Sequence, residues 1–361
     1  MIWYDYRLEM YAIVPHDVQQ PVCIGIALTY LHLAKTLGVQ QYIAKALPYI
    51  ERPMLNLKSK KFSFLGGDAG LICVAALVYK ELGQQNEVAP LVSKLEKMSK
   101  LEKMSKLEKM SKLEKMSKIL IPQESGCPDE LLFGRVGFLY ALLFVKQNIE
   151  SNLVSDDLIR EVVASVLTSG QVMAKRDRAR CPLMYMWHDT YYIGAAHGLI
   201  GILYMLLQAR SYLTKEEIEE LVKPTIDYIQ GLQFPSGNFP SSLGKDTDRL
   251  VHWCHGAPGA IHLFCLAYEV FKEQSYLDTA YRCSDAIWQR GILRKGYGIC
   301  HGVAGNAYGF VRLFQTTRDQ RFLYRAVKFQ EWCYEYGKHG CRIADRPLSL
   351  FEGECCALLL F

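Results

Sequence analysis

The sequence lacks an apolar run long enough to cross a membrane. A transmembrane helix needs about 18 or more apolar residues with few or no charges, and the best stretch, 131–145, contains Arg135. The first residues, Met-Ile-Trp-Tyr-Asp-Tyr-Arg, show neither the basic and then apolar pattern of a signal peptide nor the Met-Gly start that myristoylation requires. We therefore predict no transmembrane segment and expect a cytoplasmic protein, with peripheral association at the plasma membrane left open.

A clustered excess of basic residues is also missing. The net charge is +5, from 42 Lys and Arg against 37 Asp and Glu. Four consecutive copies of Ser-Lys-Leu-Glu-Lys-Met, from Ser93 to Met116, carry +1 each and together +4, which leaves +1 for the rest of the chain. We therefore predict no nucleic acid among the partners.

The hexamer copies form a low-complexity tract. We assign residues 93–118 to an insertion in a single domain that spans 1–361. Leu and Met alternate there at every third residue, and on a helix of 3.6 residues per turn such a stripe drifts by about 60° at each step. We expect a solvated, partly helical insertion, or a sequence expansion, rather than a functional element.

Glycine recurs in a repeated pattern, in which a Gly-x-x-Gly tetrad precedes an apolar run. The runs are apolar nearly all round, as in 71–79, which is typical of helices buried on both sides. The segments between them are amphipathic and charged, as in 215–232, and suit an outer layer. Since clear strands are missing, we predict an all-α fold: an α/α toroid, a barrel of inner and outer helices in about seven repeats, the last incomplete. The tetrads are 67–70, 134–137, 198–201, 256–259 and 302–305, with a weaker first copy at Gly25 and a seventh starting at 351–353.

Three repeat loops carry histidine, and two of them also carry cysteine. If the ring closes, Cys254, Cys300 and His301 converge at one end of the barrel. Two thiolates and one imidazole suit Zn²⁺ with the fourth position open for water or substrate, the pattern of catalytic zinc. Spacing alone leaves a second interpretation open, in which these are small buried residues of tight loops.

Five motifs stand out: Gly194-Ala-Ala-His-Gly198, Leu250-Val-His-Trp-Cys-His-Gly-Ala-Pro-Gly259, Lys295-Gly-Tyr-Gly-Ile-Cys-His-Gly-Val-Ala-Gly-Asn306, His339-Gly-Cys-Arg342 and Ser349-Leu-Phe-Glu-Gly353. Together they resemble those of the LanC-like proteins, the eukaryotic relatives of the bacterial lanthionine cyclases. The resemblance covers about residues 22–353. It is closer to members of types one and two of this family than to members of type three. It implies a toroid of seven inner and seven outer helices. After Gly353 the expected glycine loop and last inner helix are replaced by Glu-Cys-Cys-Ala-Leu-Leu-Leu-Phe, so we expect a chain truncated at its C-terminus.

The resemblance also implies which residues act. By motif position, one zinc ion would be held by the two cysteines and the histidine named above, and His197 would deliver a proton. Glu130 would orient His197 or the substrate, and His255 would support the metal or assist catalysis. The residues that would contact glutathione are Lys295, Arg342, Ile343, Ala344 and Asp345.

The function implied by the resemblance is a zinc-dependent enzyme of the glutathione transferase type. It would add the glutathione thiol to dehydroalanine or dehydrobutyrine in peptides or proteins, a modification that resembles lanthionine synthesis. An alternative is a non-enzymatic adaptor that binds glutathione or a small ligand and associates with signalling proteins at the plasma membrane. A glycosidase or prenyltransferase on the same fold is a third hypothesis, but a glycosidase would be expected to carry paired acidic residues in its loops.

Overall fold

The computed structural model describes residues 20–57, 62–110, 127–344, 347, 349 and 351–353. Within these residues the chain is helical, and its β pairings are two isolated bridges, Trp187 with Thr190 and Tyr192 with Ser242. No helix in this part of the chain combines the length and the apolar character needed to span a membrane. The predictions about the first residues and about the end of the chain fall outside the described residues, as does 111–118 of the hexamer tract.

The described helices alternate between an inner and an outer layer. The inner helices are α1 (Gln20–Leu37), α3 (Asp68–Glu81), α5 (Arg135–Asn148), α7 (Leu199–Gln208), α10 (Ala257–Phe271) and α12 (Val303–Thr317). The outer helices are α2 (Gln41–Met54), α4 (Gln85–Met110), α6 (Asp156–Arg176), the short α8 (Lys215–Glu217) joined by a π-turn (Ile218–Val222) to α9 (Lys223–Gln230), α11 (Gln274–Arg290) and α13 (Gln320–Tyr334). Each inner helix packs against the next inner helix and against the outer helix that follows it. This order confirms the predicted all-α toroid, of which six helix pairs lie within the described residues.

The two layers differ as their sequences require. In α3 every residue from Asp68 to Ala76 is buried, because other helices cover both of its sides. The outer helices have an exposed face, and several of them begin with a side-chain N-cap. The Leu158 N–H donates to Ser155 Oγ at the start of α6, and Thr214 and Glu217 form a capping box at α8.

The glycine tetrads lie at the N-termini of inner helices, where loop and helix approach closely. Helix α7 begins after Gly198, and a Cβ added at Gly201 would lie 2.0 Å from the Ala195 carbonyl oxygen. Gly256, before α10, has a φ of 120°, in the region that favours glycine. The loops that precede the inner helices therefore fold back tightly at one end of the ring.

The hexamer tract differs from expectation at its first copy. Leu95 and Met98 are buried in α4, with 0% and 3% of their surfaces exposed. They continue an apolar stripe that begins at Val88 and Val92, three or four residues apart, so this copy completes the face that α4 packs against α3. The assignment of 93–118 as an insertion in a single domain stays a prediction.

Candidate metal and catalytic centre

The candidate centre lies where the loops before α7, α10 and α12 meet. The Cys254 N–H donates to the Cys300 carbonyl at 3.1 Å, and the Cys300 N–H donates to the Phe351 carbonyl at 2.8 Å. The Ala196 N–H donates to the Cys254 carbonyl at 3.5 Å. These backbone hydrogen bonds join segments far apart in sequence, so both cysteines are held in fixed positions.

Cys254, Cys300 and His301 form a compact group of potential metal ligands. Their ligand atoms, two Sγ and one ring nitrogen, all lie within 4.8 Å of one another. Within the described residues this is the one group of three or more His, Cys, Asp or Glu side chains with that spacing. Zinc lies about 2.0–2.3 Å from nitrogen and sulfur ligands, so one ion could contact all three atoms. Their role as ligands stays a prediction.

The charge state of the two thiols suits a cation. A hydrogen bond from Cys300 lowers the pKa of Cys254, and side-chain hydrogen bonds from His252 and His301 lower it further. The same bond between the sulfurs raises the pKa of Cys300, because its proton stays between them. A thiolate is the form that binds metal. Because these hydrogen bonds favour the thiolate form of Cys254, the pair suits a bound metal cation.

His252 belongs to this cluster, although the sequence analysis gave it no role. Its side chain hydrogen-bonds to Cys254 and is 7% exposed. Its ring centroid lies 6.0 Å from that of His301. Its position two residues before Cys254 is a signal of proximity, but the sequence does not show that its ring turns toward the sulfur.

His197 lies at the start of α7 with its ring held by Glu130. The Nδ1 atom of His197 is 2.7 Å from Oε2 of Glu130. Glu130 is 2% exposed and also accepts hydrogen bonds from the N–H groups of Leu132 and Phe133, at 2.9 and 2.5 Å. Since a carboxylate only accepts, Nδ1 donates and Nε2 is left to exchange a proton with another molecule.

Three aromatic side chains surround the His197 ring. The ring centroids of Phe133, Trp187 and Tyr192 lie 6.2, 6.4 and 5.7 Å from that of His197, and the first two rings are stacked with it. His197 is 22% exposed, so the aromatic rings cover most of it. These residues come from two separate loops, and no spacing in the sequence predicts their convergence.

His255 lies between this group and the thiols. Its ring centroid is 5.7 Å from that of Tyr192. Its Nδ1 atom is buried, and no described residue hydrogen-bonds to it. Burial lowers the pKa of His255, so its ring is neutral near pH 7. His255 thus borders the site without a fixed hydrogen-bonding partner at Nδ1.

The side chains expected to contact glutathione lie on the exposed rim. Lys295 is exposed, and its charge contributes to lowering the pKa of His255 and acts against the rise at Cys300. The Arg342 N–H donates to the Arg294 carbonyl at 2.8 Å, which ties the later segment to the loop of Lys295. Arg342 and Ile343 are exposed and Ala344 is half-buried, whereas Asp345 lies outside the described residues.

The fold and this centre together define a helical toroid with a Cys-Cys-His cluster at one end of its inner ring. The structure is similar to that of nisin cyclase, with a TM-score of 0.68 at 18% sequence identity, covering 93% of this chain and 86% of that chain. At that identity the likeness concerns the fold.

Comparison with known protein sequences identifies the family of this chain. The family described as lanthionine synthetase C-like protein matches residues 23–361, and the chain belongs to this family. It is also 42% identical over 331 residues to glutathione S-transferase LANCL1 of Danio rerio, which covers 91% of this chain and 77% of that protein. The predicted LanC-like resemblance is confirmed.

Proposed function

We propose that this chain is a zinc-dependent glutathione transferase that adds the glutathione thiol to dehydroamino acids in peptides or proteins. The observation that carries the proposal is the group of Cys254, Cys300 and His301, with the pair of His197 and Glu130 in the same loop cluster. The glutathione S-transferase name of the Danio rerio relative supports the choice of thiol.

The donor set fits the proposed metal. Cys254, Cys300 and His301 would hold zinc with a fourth position left for a substrate, since three protein ligands are typical of catalytic zinc. When bound, zinc lowers the pKa of a coordinating thiol, so that a thiolate is present near pH 7. The backbone bonds between the two cysteine loops hold the donors in place before any ion arrives.

The addition needs a proton at the α-carbon, and we assign the delivery of that proton to His197. The thiol sulfur forms a bond to the β-carbon of the dehydroamino acid, the C=C π bond breaks, and its electron pair moves toward the α-carbon and the carbonyl. His197 Nε2 donates a proton to the α-carbon, and the proton released by the thiol restores the ring, so atoms and charge balance. Glu130, which accepts from Nδ1, fixes the orientation and the tautomer of the ring.

Charge at the rim supports glutathione as the thiol. Glutathione carries two carboxylates, and Lys295 and Arg342 are exposed cations on segments joined by the hydrogen bond to Arg294. An arginine can bind a carboxylate through two parallel hydrogen bonds. We therefore assign these two side chains to the glutathione carboxylates, with Ile343, Ala344 and Asp345 as neighbouring contacts.

The test is adduct formation. The zinc-loaded chain is incubated with glutathione and a peptide that contains dehydroalanine, and the adduct is measured by mass spectrometry after subtraction of the rate without protein. We expect Cys300→Ala to abolish the enzymatic rate. Cys283→Ala is the matched control, because Cys283 is fully buried in α11, outside the Cys/His cluster, and should leave the rate near that of the wild type.

Two results would refute the proposal. One is an unchanged rate in folded Cys300→Ala. The other is a wild-type chain that binds glutathione, measured by calorimetry, but forms no adduct, which would instead support a ligand-binding adaptor at the plasma membrane.

A further inference from the structure

A cavity of about 230 Å³ lies next to the candidate centre, among the first turns of the inner helices. Its wall includes loop residues that adjoin the site in sequence. Leu131 follows Glu130, and Trp253 precedes Cys254. Because Trp253 also packs against Cys254 and Cys300, the cavity adjoins the loops that carry the candidate centre.

The deeper wall is formed by α5, α7 and α10. Tyr140 lies on α5, Tyr204 on α7 and His262 on α10, six residues after the N-cap Gly256. Six residues correspond to about 9 Å along a helix, so His262 lies well below the loops. The side chains that line the cavity within the described residues are apolar, aromatic or histidine, and none is Asp, Glu, Lys or Arg. Such a wall disfavours a charged occupant, because no opposite charge is present to pair with it.

Two polar side chains of this wall, those of His262 and Tyr140, have unused hydrogen-bonding capacity. Tyr204 Oη accepts a hydrogen bond from Gln208 Nε2 at 3.0 Å. By contrast, no residue in the described part of the chain hydrogen-bonds to the ring nitrogens of His262 or to the hydroxyl of Tyr140. His262 is half-buried and Tyr140 is 37% exposed, so neither group is closed off from a molecule in the cavity. A neutral imidazole offers one donor and one acceptor. A ligand with a hydroxyl group at this depth would supply the partner.

The volume of the cavity fits a single ring. An engineered apolar cavity of about 150 Å³ in another protein binds benzene, so 230 Å³ has room for a six-membered ring with a hydroxyl group. The aromatic rings of Phe64 and Tyr140, with centroids 4.7 Å apart, form one side of the space and offer edges and faces to such a ring.

We propose that the cavity is an acceptor subsite for a phenolic ring, the side chain of a tyrosine near the dehydroamino acid, with its hydroxyl paired to His262. This assignment rests on the proposed transferase function. It makes the acceptor peptide, rather than glutathione, the molecule that enters the interior of the ring. It also gives His262 a part in acceptor choice and none in the transfer of the proton.

The first test uses the side chain alone. Binding of p-cresol and of toluene to the full chain is measured by ligand-detected NMR or calorimetry. We expect p-cresol to bind about two- to tenfold more tightly than toluene, the net effect of one hydrogen bond. His262→Leu should remove that preference, and His262→Gln, which keeps a donor and an acceptor, should restore part of it. Equal binding of the two probes to the wild type, or a preference that persists in folded His262→Leu, would overturn the proposal.

The second test separates the subsite from the proposed function. Glutathione addition is compared for two dehydroalanine peptides that differ only in Tyr or Phe beside the acceptor. We expect a higher kcat/KM for the Tyr peptide by about two- to tenfold, and a ratio near one in His262→Leu. Addition to both peptides at equal rates would refute the subsite and leave the transferase proposal standing. Binding of p-cresol through His262 without addition to any acceptor would refute the transferase proposal and the acceptor assignment together.

Discussion

Replacing Glu130 by glutamine should slow the proton transfer assigned to His197 while leaving the cysteine cluster intact. Oε1 of Glu130 accepts from the Phe133 N–H, and Oε2 accepts from the Leu132 N–H and from Nδ1 of His197. Glutamine has one acceptor oxygen and one NH₂ group, so in either orientation the NH₂ group faces an N–H donor. The substitution therefore removes the charge beside His197 and one of the hydrogen bonds that hold the loop.

The magnitude follows from the bonds that are lost. A hydrogen bond to a charged group contributes about 1.5–3 kcal/mol, which corresponds to a rate loss of about 10- to 150-fold if it stabilises the working form of His197. One backbone N–H left without a partner should lower the free energy of unfolding by about 1–3 kcal/mol. The rate loss should appear in kcat more than in the KM for glutathione, because Glu130 lies beneath His197 and not at the rim.

The assay is adduct formation under saturating glutathione, together with metal content and urea denaturation. Glu217→Gln is the matched control, since Glu217 Oε2 also accepts a backbone N–H, that of Thr214 at 2.7 Å, but belongs to an outer helix. A kcat within twofold of wild type in folded, metal-containing Glu130→Gln would refute the assignment of Glu130 and His197 as a working pair.

Three further predictions concern stability. Asp248→Ala removes the ion pair with Arg290, whose Nη1 lies 2.9 Å from both carboxylate oxygens. The free energy of unfolding, measured by urea denaturation, should fall by about 1–3 kcal/mol. An unchanged midpoint would contradict this. Gly201→Ala should lower the free energy of unfolding by about 1–3 kcal/mol, because the added Cβ would lie 2.0 Å from a carbonyl oxygen. Wild-type stability in this variant would show that the loop can move to make room for the side chain. Burial lowers the pKa of His262 from 6.5 to about 4. Between these pH values the unfolded chain binds a proton at His262 that the folded chain does not bind. The free energy of unfolding should therefore fall by about 3 kcal/mol as the pH falls from 6.5 to 4. With chelator present, His262→Leu should lose less stability over that range than the wild type, and equal losses would contradict the account.

Periodic features of the chain were predictable from sequence because they repeat. The apolar runs and the tetrads mark inner helices and their N-termini, as at Gly198 and Gly201, since tight packing there admits no side chain. The convergence of Cys254 and Cys300 follows from the same repeat, because equivalent loops of a ring lie at one end. What repeats in the sequence is thus repeated in space.

Features that depend on side-chain direction were not predictable in this way. His252 turns toward Cys254, and Trp187 stacks near His197 although it lies ten residues earlier in the same loop, outside the tetrad. The cavity at His262 arises from the spacing of three helices and leaves no pattern in any one of them. The first hexamer copy also escaped prediction, because its burial at Leu95 continues a stripe that starts before the tract.

The central claim is that Cys254, Cys300 and His301 form one metal site. The most direct measurement is zinc per chain, by elemental analysis of the purified full chain and of Cys254→Ala, with circular dichroism to establish folding. The account predicts one zinc per chain in the wild type and none in the folded variant. Zinc retained by Cys254→Ala, or a folded wild type that takes up no zinc when it is supplied, would contradict it.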